Sequence, residues 1–191
     1  GNFEIEDFLS TLSYYDKIKR IELHRFSKEE SMQYLKKAIP EIKDKSIYEE
    51  VYNNSEGVPV FLWEYVKLIK AKKPIDKITI EMENSIKSRL SFLSKEHREI
   101  LEVLSIFRNE FPINILSELF DMSEKDIMEF LDSMVKRGLL KEFIFREEIS
   151  YKFNHKKVRE FLYYVNSKAK RKYYHYEIAK ILEKMKSTEE A

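Results

Sequence analysis

The stretch Gly138-Leu139-Leu140-Lys141-Glu142-Phe143-Ile144-Phe145-Arg146-Glu147-Glu148-Ile149-Ser150-Tyr151-Lys152-Phe153 decides the fold. Two runs rich in aromatic and branched residues, 139–145 and 149–153, flank the charged triplet Arg146-Glu147-Glu148, the pattern of a two-stranded hairpin. Gly138 stands where a preceding helix needs a left-handed C′ residue. That helix is capped by Ser123 and repeats Ile127, Phe130, Leu131 and Met134 at helical spacing. Before it come a shorter helix starting near Pro112 with Ile115, Leu116 and Leu119, a Ser94-capped helix with Ile100, Leu101 and Leu104, and a connecting helix with Ile86, Leu90 and Leu93. After the hairpin, Val158, Phe161, Leu162 and Val165 mark one helix, and Tyr174, Ile178, Ile181, Leu182 and Met185 another.

Three helices followed by a hairpin is the order of a winged helix. Nearer the start, residues 3–12 read as a short helix and 18–23 as a short strand with no nearby partner, like the end of something whose beginning is absent. Ser27-Lys28-Glu29-Glu30 is a capping box that opens a helix carrying Met32, Leu35 and Ile39 and ending at Pro40. A second helix spans about residues 47–52 and runs into Asn53-Asn54-Ser55-Glu56-Gly57. Val58 is then held extended by Pro59, which opens a helix bearing Phe61, Leu62, Tyr65, Val66 and Ile69. The basic, proline-broken stretch 70–77 is the best boundary. The predicted fold is mainly α: a small helical bundle, then a winged-helix domain with a two-stranded β-hairpin, then C-terminal helices.

Composition narrows the function. The 191 residues carry 35 Lys plus Arg against 34 Asp plus Glu, a net charge of +1, so no global field recruits nucleic acid or anionic membrane. The absence of cysteine removes thiol nucleophiles and thiolate metal sites and suits a reducing compartment, with the cytoplasm as default. No apolar run is long enough to span a bilayer, and the first residues lack the features of a signal peptide. The Lys/Glu/Ile-rich composition leans thermophilic. Three glycines, Gly1, Gly57 and Gly138, cannot build a phosphate-binding loop of the GxxxxGK[ST] or GxGxxG type. Four scattered histidines show no metal-binding spacing, and no GxSxG elbow is present, so neither metal catalysis nor a serine hydrolase is expected.

Local charge offers two candidate surfaces. The helix that would enter the major groove, residues 123–137, sets Lys125, Lys136 and Arg137 against Glu124, Asp126, Glu129 and Asp132, and so repels phosphate. Residues 152–172 carry eight basic side chains and one acidic one; of these Lys156, Lys157, Arg159, Lys168, Lys170, Arg171 and Lys172 are the candidate nucleic-acid contacts, with a solvated helix face as the plain alternative. Two shorter stretches suit a nucleotide. Pro59 offers a flat apolar ring at a helix start, and His155, where a strand gives way to a helix, is placed to present a ring N–H to an anion.

In order along the chain, these stretches resemble the regulatory half of STAND-type signal-transduction ATPases, a multidomain branch of the AAA+ P-loop superfamily. Residues 21–30 resemble the last strand of the nucleotide domain running into the lid, and 54–64 resemble the lid's GxP motif, "eGnPlfl.E". Phe153-Asn154-His155 with Val158-Arg159-Glu160-Phe161-Leu162-Tyr163 resembles the pattern F-x-H-x-x-V-R-E-x-L-Y, and residues 171–178 resemble the R-x-x-x-H-x-x-I-A helix that opens sensor regions. Lys156 stands where the related Met-His-Asp motif has its acid. The resemblance implies four parts: a nucleotide-domain remnant over 1–25, a helical lid over 26–76, a connecting helix and winged helix over 77–165, and a C-terminal helix over 166–191. It implies ATP or ADP, with Mg, as cofactor of the full-length protein, with Gly57, Pro59 and His155 at the nucleotide and the P-loop domain upstream in the same chain. The fragment by itself would then bind no cofactor and not be an enzyme. A nucleotide-controlled transcriptional regulator, oligomerising on activation, is the expected role. The alternative is a DNA-binding winged-helix module of a transcription regulator or origin-binding initiator.

Overall fold

A computed structural model describes residues 23–76, 78–120, 122–145 and 148–189. The helix and strand expected over 3–12 and 18–23 lie outside this set except for Leu23, which is irregular and exposed. The described residues are mainly helical, with a small antiparallel sheet, and none of their helices is long and apolar enough to cross a membrane.

The N-terminal bundle comprises α1 (Lys28–Ala38), α2 (Lys45–Ser55) and α3 (Pro59–Lys70). Its boundaries follow from local chemistry. At the start of α1 the Ser27 hydroxyl accepts from the Glu30 N–H at 3.2 Å, and the Ser27 N–H donates to the Glu30 carboxylate at 2.8 Å, so two otherwise orphaned donors are satisfied reciprocally. Pro40 follows the C-cap residue Ile39. Asp44 caps α2 through the Ser46 N–H, and Tyr48 closes the intervening loop by donating to the carbonyls of Ile39 and Ile42. Pro59 occupies the first position of α3 behind an extended Val58, as the sequence requires.

Past residues 71–79 come α4 (Ile80–Leu90), α5 (Lys95–Leu104), α6 (Asn114–Phe120) and α7 (Glu124–Lys136). Thr79, Ser94 and Ser123 cap α4, α5 and α7. Gly138 ends α7 at φ +66°: its N–H bonds the Val135 carbonyl and that of Leu139 bonds the Met134 carbonyl, the two bonds of a Schellman cap. Strands β2 (Leu140–Phe145) and β3 (Glu148–Phe153) form the expected hairpin. The sheet, however, has a third strand. β1 (Glu110–Pro112) lies antiparallel to β3 in the order β1-β3-β2, so Pro112 sits in an edge strand and α6 begins at Asn114. An edge position tolerates proline because the missing N–H leaves no ladder bond unmade. The connecting helix α4 likewise ends at Leu90, short of Leu93. α8 (Lys156–Val165) and α9 (Lys168–Glu189) complete the chain.

One apolar cluster runs from Leu35 in α1 through Leu62, Met82, Leu101, Phe111 and Phe130 to Leu162 in α8. The connector at 70–77 therefore divides the chain but not the core. Buried Glu64 of α3 strengthens the continuity, pairing with Lys67 at 2.6 Å and accepting from the Thr79 hydroxyl at 3.1 Å. A small cluster of Val103, Ile106 and Ile178 seats α9 on α5.

Candidate functional site

The end of α2 and the end of β3, a hundred residues apart, meet at one corner. After Ser55 the backbone turns left-handed at Glu56, φ +49°, and again at Gly57, φ +73°. A non-glycine residue at positive φ is strained, and it persists here because the surrounding bonds fix it. The Glu56 N–H donates to the Tyr52 carbonyl, the Val58 N–H to the Ser55 carbonyl, and the Phe26 N–H to the Gly57 carbonyl at 2.9 Å. The Phe26 backbone passes so close that a Cβ on Gly57 would lie 2.0 Å from the Phe26 oxygen.

On the other side, the Asn154 N–H and side-chain amide donate to the carbonyls of Leu139 and Gly138. Arg25 reaches across from the bundle to donate to the Asn154 carbonyl at 2.9 Å and to pair with Glu56 at 3.5 Å. His155 is then the N-cap of α8, its Nδ1 accepting from the Lys157 N–H at 3.0 Å. Its Nε2 lies 2.8 Å from the Ser55 carbonyl oxygen. Since that oxygen can only accept and Nδ1 is accepting, the proton is on Nε2 and the ring is neutral. The ring is 1 % exposed and stands nearly perpendicular to Phe61, centroids 4.8 Å apart. Burial, reinforced by Arg25, Arg89 and Lys156 and only partly offset by the Ser55 bond, lowers its pKa from 6.5 to about 4. Glu56, 3.8 Å from Nδ1, thus faces a neutral ring at neutral pH. Its own carboxyl is pushed up by burial against the opposing pull of the Lys156 N–H and Arg25.

Both ring nitrogens of His155, the residue expected to present a ring N–H to an anion, have partners here, one in the local cap and one across the corner. Gly57 adjoins the same corner. Pro59 lies at the exposed start of α3, beside Val60 and Trp63, which are 37 % and 53 % exposed. The basic residues of 152–172 do not form one face. Lys157 is buried and bonded to Glu160 at 2.7 Å, Arg159 donates to the Ser105 carbonyl, and Lys170 pairs with Glu102 at 3.2 Å. Arg171 stacks over Tyr163 and Tyr164, while Lys168 and Lys172 are exposed. Arg25 and Asn154 fall inside stretches 21–30 and 153–163 but have no role in the resemblance, and Arg89 belongs to no motif. Their contribution depends on contacts between distant segments.

The chain matches none of the known protein-family models and none of the curated proteins with which it was compared.

Proposed function

We propose that this chain is the nucleotide-responsive regulatory part of a STAND-type signalling ATPase of the transcription-regulator kind, with residues 26–76 as lid and 77–165 as winged helix. One observation carries the reading: the two stretches that resemble the family's nucleotide motifs meet, with His155 Nε2 2.8 Å from the Ser55 carbonyl. The order α5, α6, α7, β2, β3 with a short third strand agrees with a winged helix. The exposed corner of Pro59, Val60 and Trp63 suits an apolar base. His155 would meet phosphate only by releasing Ser55, because Nε2 carries the ring's one N–H. The joint is then a latch with two alternatives, and a ligand that competes for that N–H shifts the balance between closed and open forms.

The experiment is ADP retention by the full-length protein. His155→Ala should release ADP more readily than wild type, and unchanged ADP affinity by calorimetry would overturn the role. The duplex-DNA alternative gains nothing from α7, whose exposed positions include Glu124, Asp126, Glu129 and Asp132.

A further inference from the structure

We propose that the cleft between the N-terminal bundle and the open face of the sheet binds a compact oligophosphate anion. The cleft has a volume of about 770 Å³, and its cationic lining comes from separate parts of the fold: Arg25 before α1, Arg108 before β1, Lys141 on β2, Lys152 on β3, and Lys156 and Arg159 on α8. Against these six stand three carboxylates, Glu56, Glu110 and Glu160, leaving a local charge of +3 on a chain whose total is +1.

Among the described residues the excess is not neutralised by close ion pairs, and the Lys152 ammonium meets only the Phe143 ring, at 4.5 Å. Arg25 pairs with Glu56, and Arg159 donates to a backbone carbonyl. Among the described residues, no carboxylate lies within 4.0 Å of the cationic groups of Arg108, Lys141, Lys152 or Lys156. Lys141 and Lys152 are directly paired across the strands, an arrangement of like charges that destabilises a sheet unless something anionic lies over it. Glu110, the remaining neighbour in that row, supplies one carboxylate for two ammonium groups. Burial and the nearby Lys157 also hold the Lys156 ammonium below the usual lysine value. Cations converging on one concavity focus potential there, and phosphate oxygens accept several such donors at once. Convergence from separate elements suits a short chain of phosphates better than a duplex, which needs cations spread along a ridge. The phosphates can belong to an inorganic chain or to a nucleotide, for Phe26 and Tyr52 put flat rings in the same cleft. The proposal stands on the cleft alone and holds whether or not the chain belongs to an ATPase.

Calorimetry with the 191-residue chain and inorganic tripolyphosphate at about 50 mM salt tests it. Saturable one-to-one binding is expected, weakened roughly tenfold or more in K141E/K152E and less than about twofold in K168E/K172E, which makes the same charge change on α9. Should K141E/K152E misfold by circular dichroism, R108E on the exposed turn reads the same site. No saturable binding overturns the proposal. So does equal weakening in both double variants, the mark of diffuse attraction, and so does duplex DNA that binds and resists displacement by tripolyphosphate. ADP binding more tightly than pyrophosphate supports the site and assigns the phosphates to a nucleotide, whereas equal affinities support it with an inorganic source. Loss of the His155 role would leave this result unchanged, so the two proposals fail separately.

Discussion

Gly57 and Gly138 invite comparison. Each follows a helix, each holds a positive φ, +73° and +66°, and both adjoin the corner of Asn154 and His155. The fold uses them differently. A Cβ at Gly138 would meet only the Arg89 guanidinium at 3.6 Å and the Asn154 amide at 3.8 Å, so that glycine serves its own helix cap. At Gly57 the obstacle is the backbone oxygen of Phe26 at 2.0 Å, and Phe26 cannot retreat without breaking its bond to the Gly57 carbonyl. One glycine answers a local conformational need, while the other permits two distant backbones to touch.

The sharpest way to break this comparison is to give both glycines the same side chain. Gly57→Ala should cost about 4 kcal/mol or more, through left-handed strain plus displacement of packed backbone. Chemical denaturation measures it, and a loss no larger than that of Gly138→Ala would erase the distinction. His155→Ala should cost about 3 kcal/mol, since it orphans the Lys157 N–H, leaves the buried Ser55 carbonyl with the Val58 N–H alone and removes the ring from Phe61. His155→Asn, which can still cap α8, should recover about 1 kcal/mol of that and so separate the local role from the long-range one.

A smaller effect comes from pH. The folded imidazole is held at about 4 against 6.5 for the free group, so between these values the unfolded chain binds the extra proton. Stability from His155 is therefore complete above pH 6.5 and falls as pH drops toward 4, by about 2 kcal/mol at pH 5. Denaturation midpoints at pH 7 and pH 5 read this, and His155→Gln should flatten the difference. A slope that survives the substitution would move its origin to other groups at the corner. Smallest of all, Gly138→Ala should cost about 1 kcal/mol, the strain of left-handed backbone alone.

Legibility in the sequence follows the same division. The capping box at Ser27 and Glu30, the caps at Ser94 and Ser123, the stop at Pro40, the start at Pro59 and the Gly138 cap all form where their residues predict, because each is satisfied within a few positions. β1 escaped because three residues around a proline carry no periodicity and become a strand only beside β3. The basic run over 152–172 was visible as composition but not as a surface. Helical rotation and neighbouring carboxylates sent Lys157 inward and Lys170 to Glu102, while Lys156 and Arg159 joined cations from other elements.

The sequence by itself determined a mainly helical chain, most of its helix boundaries, the hairpin and the two stretches that carry the family resemblance. These rest on interactions within a few residues, where spacing and residue type suffice. Only the tertiary structure decided that those stretches meet, that His155 is buried, neutral and bound at both nitrogens, and that a cleft gathers six cations from separate elements. Such features depend on which distant groups share a desolvated space, and neither desolvation nor the sum of nearby charges is written in any local pattern.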